Sequence, residues 1–154
     1  MTTFFDKNAK RSFANVTIDA DQKVDTSEFL SASEGLVTLF DLLGSPAFAV
    51  VQKDMTGNIK KARDRQLMHP MDCMTIQDLV QTEAKEKKQP ATEGLMWLIR
   101  GLKFTSTALR RNVDKPSEEL STSFIDAYGS TLRQYHRMLV RPAFSLAMKA
   151  TPYR

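Results

Sequence analysis

Apolar residues recur at helical spacing along most of the chain. Phe29, Leu36, Phe40 and Leu43 keep that spacing in one segment, and Phe48, Val51, Met55, Ile59 and Ala62 keep it in the next. No sustained period-2 run bounded by turns is present; the nearest candidate, Val16 with Ile18, is short and Phe13 is out of phase with it. The pattern therefore predicts an all-α fold. Residues 1–24 read as an extended arm whose aromatics, Phe4, Phe5 and Phe13, dock on a body spanning 25–154.

Start and stop signals divide the body into six helices. Asp25, with Glu28 three residues on, resembles a capping box and opens a helix over 26–43, which Gly44 closes. Ser45 as N-cap and Pro46 at the first helical position restart the chain, and His69-Pro70 ends that helix at about residue 68. Thr75 through Asp78 opens a third helix, which fades in the Lys-rich stretch before Pro90. Thr92 caps a fourth over 93–112, and Ser117 a fifth that reaches residue 133. A sixth covers 136–149, with Pro142 expected to kink it.

Three features interrupt this amphipathic pattern. Asp54, Asn58 and Lys61 form a row at i, i+4 and i+7, continued by Arg65, along one edge of the apolar arc of the second helix. Gly57 beside the row would let a ligand or another backbone come close, although a mid-helix glycine costs roughly 1 kcal/mol relative to alanine. On pattern alone, a helix break with solvated charges is the favoured explanation. The fourth helix is apolar on two faces, Leu95, Leu98, Ile99, Leu102 and Leu109 on one, Trp97, Gly101, Phe104 and Ala108 on the other. Such a helix lies in the middle of a fold. Gly101, one turn from Trp97, would leave space beside the indole, yet a core tryptophan fits the pattern better. His136 is in line with Leu139, Val140, Ala143 and Ala147, where a satisfied core histidine is again the commoner case.

Composition narrows the setting. With 154 residues, 42% hydrophobic and 26% charged, the chain suits one domain with a real core. Cys73 has no internal partner for a disulfide, and neither a signal peptide nor a membrane-spanning run is visible, so a cytoplasmic location is expected. The net charge of +4 suits a surface that visits anionic membranes or nucleic acid, but most of the Lys and Arg are interleaved with acids. The densest charged stretch, residues 83–88, reads as a solvated helix end, and no nucleic-acid partner is expected. His69, Asp72 and Cys73 are close in sequence but lack a second histidine, and no nucleophile stands in a recognisable setting. Neither an enzyme nor a cofactor is implied.

Several of these segments, taken in order, resemble one family. Leu39-Phe-Asp-Leu-Leu-Gly-Ser-Pro-Ala-Phe48, Asp54-Met-Thr-Gly-Asn-Ile-Lys-Lys61, Gly94-Leu-Met-Trp-Leu-Ile-Arg-Gly-Leu102, Tyr135-His136 and Pro152-Tyr153 look like the glycolipid transfer protein family. Arg63-Asp-Arg-Gln-Leu67 and Thr92-Glu-Gly-Leu95 look like its fungal heterokaryon-incompatibility branch. The resemblance reverses the preferences stated for the polar row, Trp97 and His136. It implies a two-layer helical sandwich that binds one glycosphingolipid, a glycosylceramide, and transfers it between membranes without catalysis. By motif, Asp54, Asn58 and Lys61 resemble the residues that bind the sugar and the ceramide amide, Trp97 the indole platform under the sugar, and His136 the partner of the amide carbonyl. Phe40, Leu43, Phe48, Val51, Leu139 and Phe144 are the positions expected to line the hydrocarbon-tail tunnel.

The chemistry is consistent with those roles. A sugar offers hydroxyls at its edge, which suit an acid, an amide and an ammonium, and C–H groups on its faces, which suit a flat aromatic. A ceramide amide buried without partners would cost roughly 2–7 kcal/mol, which a carboxylate and a neutral imidazole can offset. Tail burial is worth about 0.8 kcal/mol per CH₂ against water, but the donor is a membrane, so the headgroup selects. Ceramide-1-phosphate carriers, which use basic residues where this chain has Asn58 and Trp97, are the nearest rival, with a sphingolipid sensor beside them. Family chains continue past Pro-Tyr for roughly two more helices. Without those, the apolar faces they cover would be open to self-association, and transfer would be less efficient.

Overall fold

A computed structural model describes residues 1–8, 11–44 and 46–153; the side chains of Phe5 and Ala47 lie outside the description. The expected docking of Phe5 and the capping role of Ser45 fall there too. Among the described residues the fold is all-α apart from two isolated antiparallel bridges. The helices are α1 (Phe4–Asn8), α2 (Thr26–Val37), α3 (Leu39–Leu42), α4 (Ala49–Met68), α5 (Ile76–Glu83), α6 (Pro90–Asp114), α7 (Leu120–Ser130) and α8 (Arg141–Lys149). Contacts divide the chain into two compact units, one of Met1–Leu39 and Thr56–Trp97, the other of Phe40–Met55 and Leu98–Arg154.

In the first unit, the residues preceding α2 are stitched into the body by backbone hydrogen bonds. The Asp25 carboxylate caps α2 by accepting from the Glu28 amide at 2.8 Å. Glu28 does not complete the capping box: its carboxylate accepts from the Thr17 amide at 2.6 Å, while the Asp25 amide donates to the Thr17 carbonyl at 3.0 Å. Ile18 pairs with Val24 around a turn where Gln22 takes a φ of 62°, and Asp25 pairs with Thr75. Phe13 meets Phe29 edge-on at 5.9 Å, as expected of a docking aromatic.

Helix α2 ends sooner than expected. The Thr38 hydroxyl donates to the Gly35 carbonyl at 2.6 Å, a local bond that competes with helix continuation, and α3 starts at Leu39. Gly44 closes the segment with a φ of 62°, the left-handed conformation in which glycine avoids a Cβ clash. Helix α4 then runs unbroken through Gly57. Thr75 caps α5 as its position suggested, accepting from the Asp78 amide at 3.1 Å.

The start of α6 corrects two readings. It begins at Pro90, and Thr92 is not its cap. Glu83, 1% exposed, accepts from the amides of Ala91 at 3.0 Å and Thr92 at 2.6 Å, so the last residue of α5 caps α6. Residues 83–88 are therefore not uniformly solvated. A carboxylate there satisfies open N–H groups and meets the positive end of the helix dipole. Arg65, expected as the end of the polar row, is 8% exposed and pairs with Glu86 at 2.9 Å.

The second unit has an aromatic interior. Ring centroids connect Phe40 to Phe48 at 5.6 Å, Phe48 to Phe124 at 6.1 Å, Phe124 to Phe104 at 5.7 Å and Phe104 to Tyr128 at 6.1 Å. Arg111 pairs with Glu118 at 2.7 Å and with Asp126 at 2.9 Å, fastening α6 to the loop before α7 and to α7 itself. Two expected helices are shorter than their apolar patterns. Ser117 lies in a turn, and α7 starts at Leu120. Pro142 falls in the first turn of α8, where its missing N–H costs little, so it marks a start and not a kink.

Candidate functional site

The polar row lies on a single helix. Asp54, Asn58 and Lys61 are all within α4 and fall within about 60° of one another around its axis. Asp54 and Lys61 are exposed, whereas Asn58 is 5% exposed. No hydrogen bond joins the Asn58 carboxamide to another described residue. A carboxamide at that depth gains from any partner that reaches it.

In the first unit, Asn58 and Lys61 lie against the helix that carries Trp97. The reason is Gly94, three residues before Trp97 on α6. A Cβ built there would stand 3.0 Å from the Asn58 carbonyl oxygen and 3.1 Å from the Lys61 Cβ. Only a residue without a side chain allows this approach, which puts α4 and α6 in backbone contact beside the half-buried indole. The close-approach glycine is thus Gly94. A Cβ at Gly57 would meet nothing within 4 Å.

Asp54 and His136 belong to the second unit. Met55, next to Asp54, packs on Gly101, where a Cβ would be 3.6 Å from its Cγ; the space at Gly101 serves methionine and not the indole. His136 is not in a helix. It follows the 3-10 turn Arg133–Tyr135, so its alignment with Leu139 and Val140 on one helical face is not formed. The imidazole is nonetheless 8% exposed, and its Nδ1 is 2.9 Å from the Tyr128 hydroxyl. Arg141 Nε donates to the His136 carbonyl at 3.0 Å. Burial first, and the Arg141 charge second, push the imidazole below its ordinary pKa and keep it neutral. Burial raises the Tyr128 phenol, which stays protonated.

Of the expected tail-lining positions, Phe40, Phe48, Val51 and Phe144 are buried in the second unit, and Leu43 is half-buried. Leu139 is corrected: it is 94% exposed, because the helix expected to turn it inward begins only at Arg141. Sequence reasoning missed Phe124 and Tyr128, which link Phe48 to His136 through Phe104; Tyr128 stacks on Phe144 at 5.8 Å. Their signal was available as Phe124 and Tyr128 at i, i+4 on α7. Two surface grooves, one including Glu34, Val37 and Ile59 and the other Leu109, Arg110 and Val113, contain none of the expected residues.

This all-helical fold is shared by solved lipid-transfer proteins. HET-C2, a fungal glycolipid transfer protein, superposes with a TM-score of 0.92 at 49% identity, over 97% of this chain and 77% of that one. FAPP2, described as selecting simple glycosphingolipids with the GLTP fold, superposes with a TM-score of 0.86 at 35% identity, over 97% of this chain and 72% of that one. The family model for glycolipid transfer protein (GLTP) matches residues 24–154, and the chain belongs to that family. A glycolipid transfer protein from Aureobasidium melanogenum is 56% identical over 152 residues, which is 99% of this chain and 75% of that protein.

Proposed function

We propose that this chain binds a single glycosphingolipid, a glycosylceramide, and carries it between membranes with no covalent bond made or broken. The observation that carries the reading is 56% identity to a fungal glycolipid transfer protein along 99% of the chain. Asn58 and Lys61 are assigned to sugar hydroxyls and Trp97 to the sugar face. Asp54 and His136 are assigned to the ceramide amide, the carboxylate taking its N–H and the neutral imidazole serving its C=O. Phe40, Leu43, Phe48, Val51 and Phe144 are assigned to the tails.

The experiment is transfer of fluorescent glucosylceramide, galactosylceramide and ceramide-1-phosphate between vesicles. Glycosylceramides should move and ceramide-1-phosphate should not. The opposite preference would assign the chain to phosphate-bearing lipids, and binding without movement would make it a sensor.

Docking to the membrane is assigned to the segment before α8. Met138, Leu139 and Val140 are 78, 94 and 40% exposed, and Arg137 precedes them. Large apolar side chains beside basic residues suit an anionic interface. Among the described residues, no helix is long and apolar enough to cross a membrane. Leu139→Asp should lower partitioning onto anionic vesicles without changing helicity. Unchanged partitioning would remove the segment from membrane docking, and a fall in sedimentation mass would assign it to self-association.

A further inference from the structure

We propose that Tyr128 is a positioning residue that sets the ring state of His136, donating its hydroxyl proton to Nδ1 so that the imidazole carries its own proton on Nε2. The inference rests on the assignment of His136 to the amide carbonyl and names what prepares it. The two side chains are 8 residues apart, both buried, with Oη and Nδ1 separated by 2.9 Å. That contact is the hydroxyl's sole hydrogen bond among the described residues.

The direction of the bond follows from counting protons. A neutral phenol has one to donate, and a neutral imidazole has one N–H and one acceptor nitrogen. With the proton on Nδ1, the phenol would have to accept, and its own O–H would be buried with no acceptor among the described residues. With the proton on Nε2, Nδ1 receives the phenol, the buried hydroxyl is satisfied, and the ring proton is carried by Nε2.

The surroundings hold that arrangement. The Phe144 ring lies 4.3 Å from the imidazole, and the Tyr128 ring lies 5.6 Å from it. These two rings, stacked on each other at 5.8 Å, crowd the imidazole and resist a flip that would exchange the two nitrogens. Arg141, bound to the His136 carbonyl, opposes a second ring proton and fastens the backbone at that residue. Nε2–H is then a fixed neutral donor, suited to a carbonyl oxygen.

The test is ¹⁵N NMR of the imidazole in the lipid-free chain, compared with Tyr128→Phe, which keeps the ring and removes the hydroxyl. The wild type should show the Nε2–H tautomer and the variant a mixture of both. Glucosylceramide transfer by the variant should fall about tenfold, the scale of one hydrogen bond's net worth. In a His136→Gln background, whose amide supplies an N–H in place of Nε2–H without help from Tyr128, the Tyr128→Phe change should cost no further activity. A merely structural role for the phenol would persist in that background and overturn the proposal. So would an Nδ1–H tautomer in the wild type, or a tautomer unmoved by the substitution. If the tautomer shifts while transfer does not, the positioning role stands, and the assignment of His136 to the lipid carbonyl fails.

Discussion

Trp97 and Asn58 show how differently two residues of the proposed headgroup site announce themselves. Trp97 stood out as the sole tryptophan, on a helix apolar on two faces. In the structure it is half-exposed. Asn58 is nearly buried, yet its sequence context, beside Gly57 and among charges, suggested solvent. Burial is a property of what packs over a residue, and the covering backbone here is α6 at Gly94. If the indole lies under a sugar, Trp97→Ala should weaken binding of glucosylceramide far more than that of plain ceramide, in a fluorescence titration. Equal losses for both would mean that the indole only packs. The setting of His136 was not legible: it follows a 3-10 turn, its partner Tyr128 is on α7, and no spacing rule connects the two.

Helices were legible where the capping group is local. Asp25, Thr75 and Gly44 act within three or four residues of themselves, and the element ends they mark are where the pattern put them. The start of α6 was not, because its capping carboxylate comes from Glu83 on α5. The start of α8 was misread because a proline fits both a kink and a first turn. The two glycines of the site region give opposite predictions. Gly94→Ala should displace α4 from α6, lowering the melting temperature and glycolipid uptake together, since its Cβ would meet backbone at 3.0 Å. Gly57→Ala, exposed and with open space around it, should stabilise α4 by roughly 1 kcal/mol, or about 2–4 °C. An unchanged melting temperature for Gly94→Ala would contradict the close approach.

The junction of α6 and α7 carries a pH signature. Arg111 first, and Ser123 second, lower the Glu118 carboxyl from 4.5 to about 2. The folded state thus prefers the ionised form more than the unfolded state does. Its contribution is complete above pH 4.5 and is lost as the pH falls through about 2. Thermal melts of Glu118→Gln should therefore depend less on pH than those of the wild type across that window, and parallel curves would show that the pair does not hold the junction.

For the whole molecule, the helical class was legible because every element long enough to pack repeats its apolar residues at one period. The division into two units was not, because the long helices α4 and α6 each contribute to both. Neither composition nor charge could name a ligand; the proposed one rests on sequence motifs and family membership. The central claim is that the polar row on α4 selects a sugar-bearing sphingolipid. It is tested most directly by intervesicle transfer of fluorescent galactosylceramide, with wild type and Asp54→Val compared at matched helicity by circular dichroism. The account predicts transfer by the wild type and none by the variant. Equal transfer by both, with both folded, would contradict it.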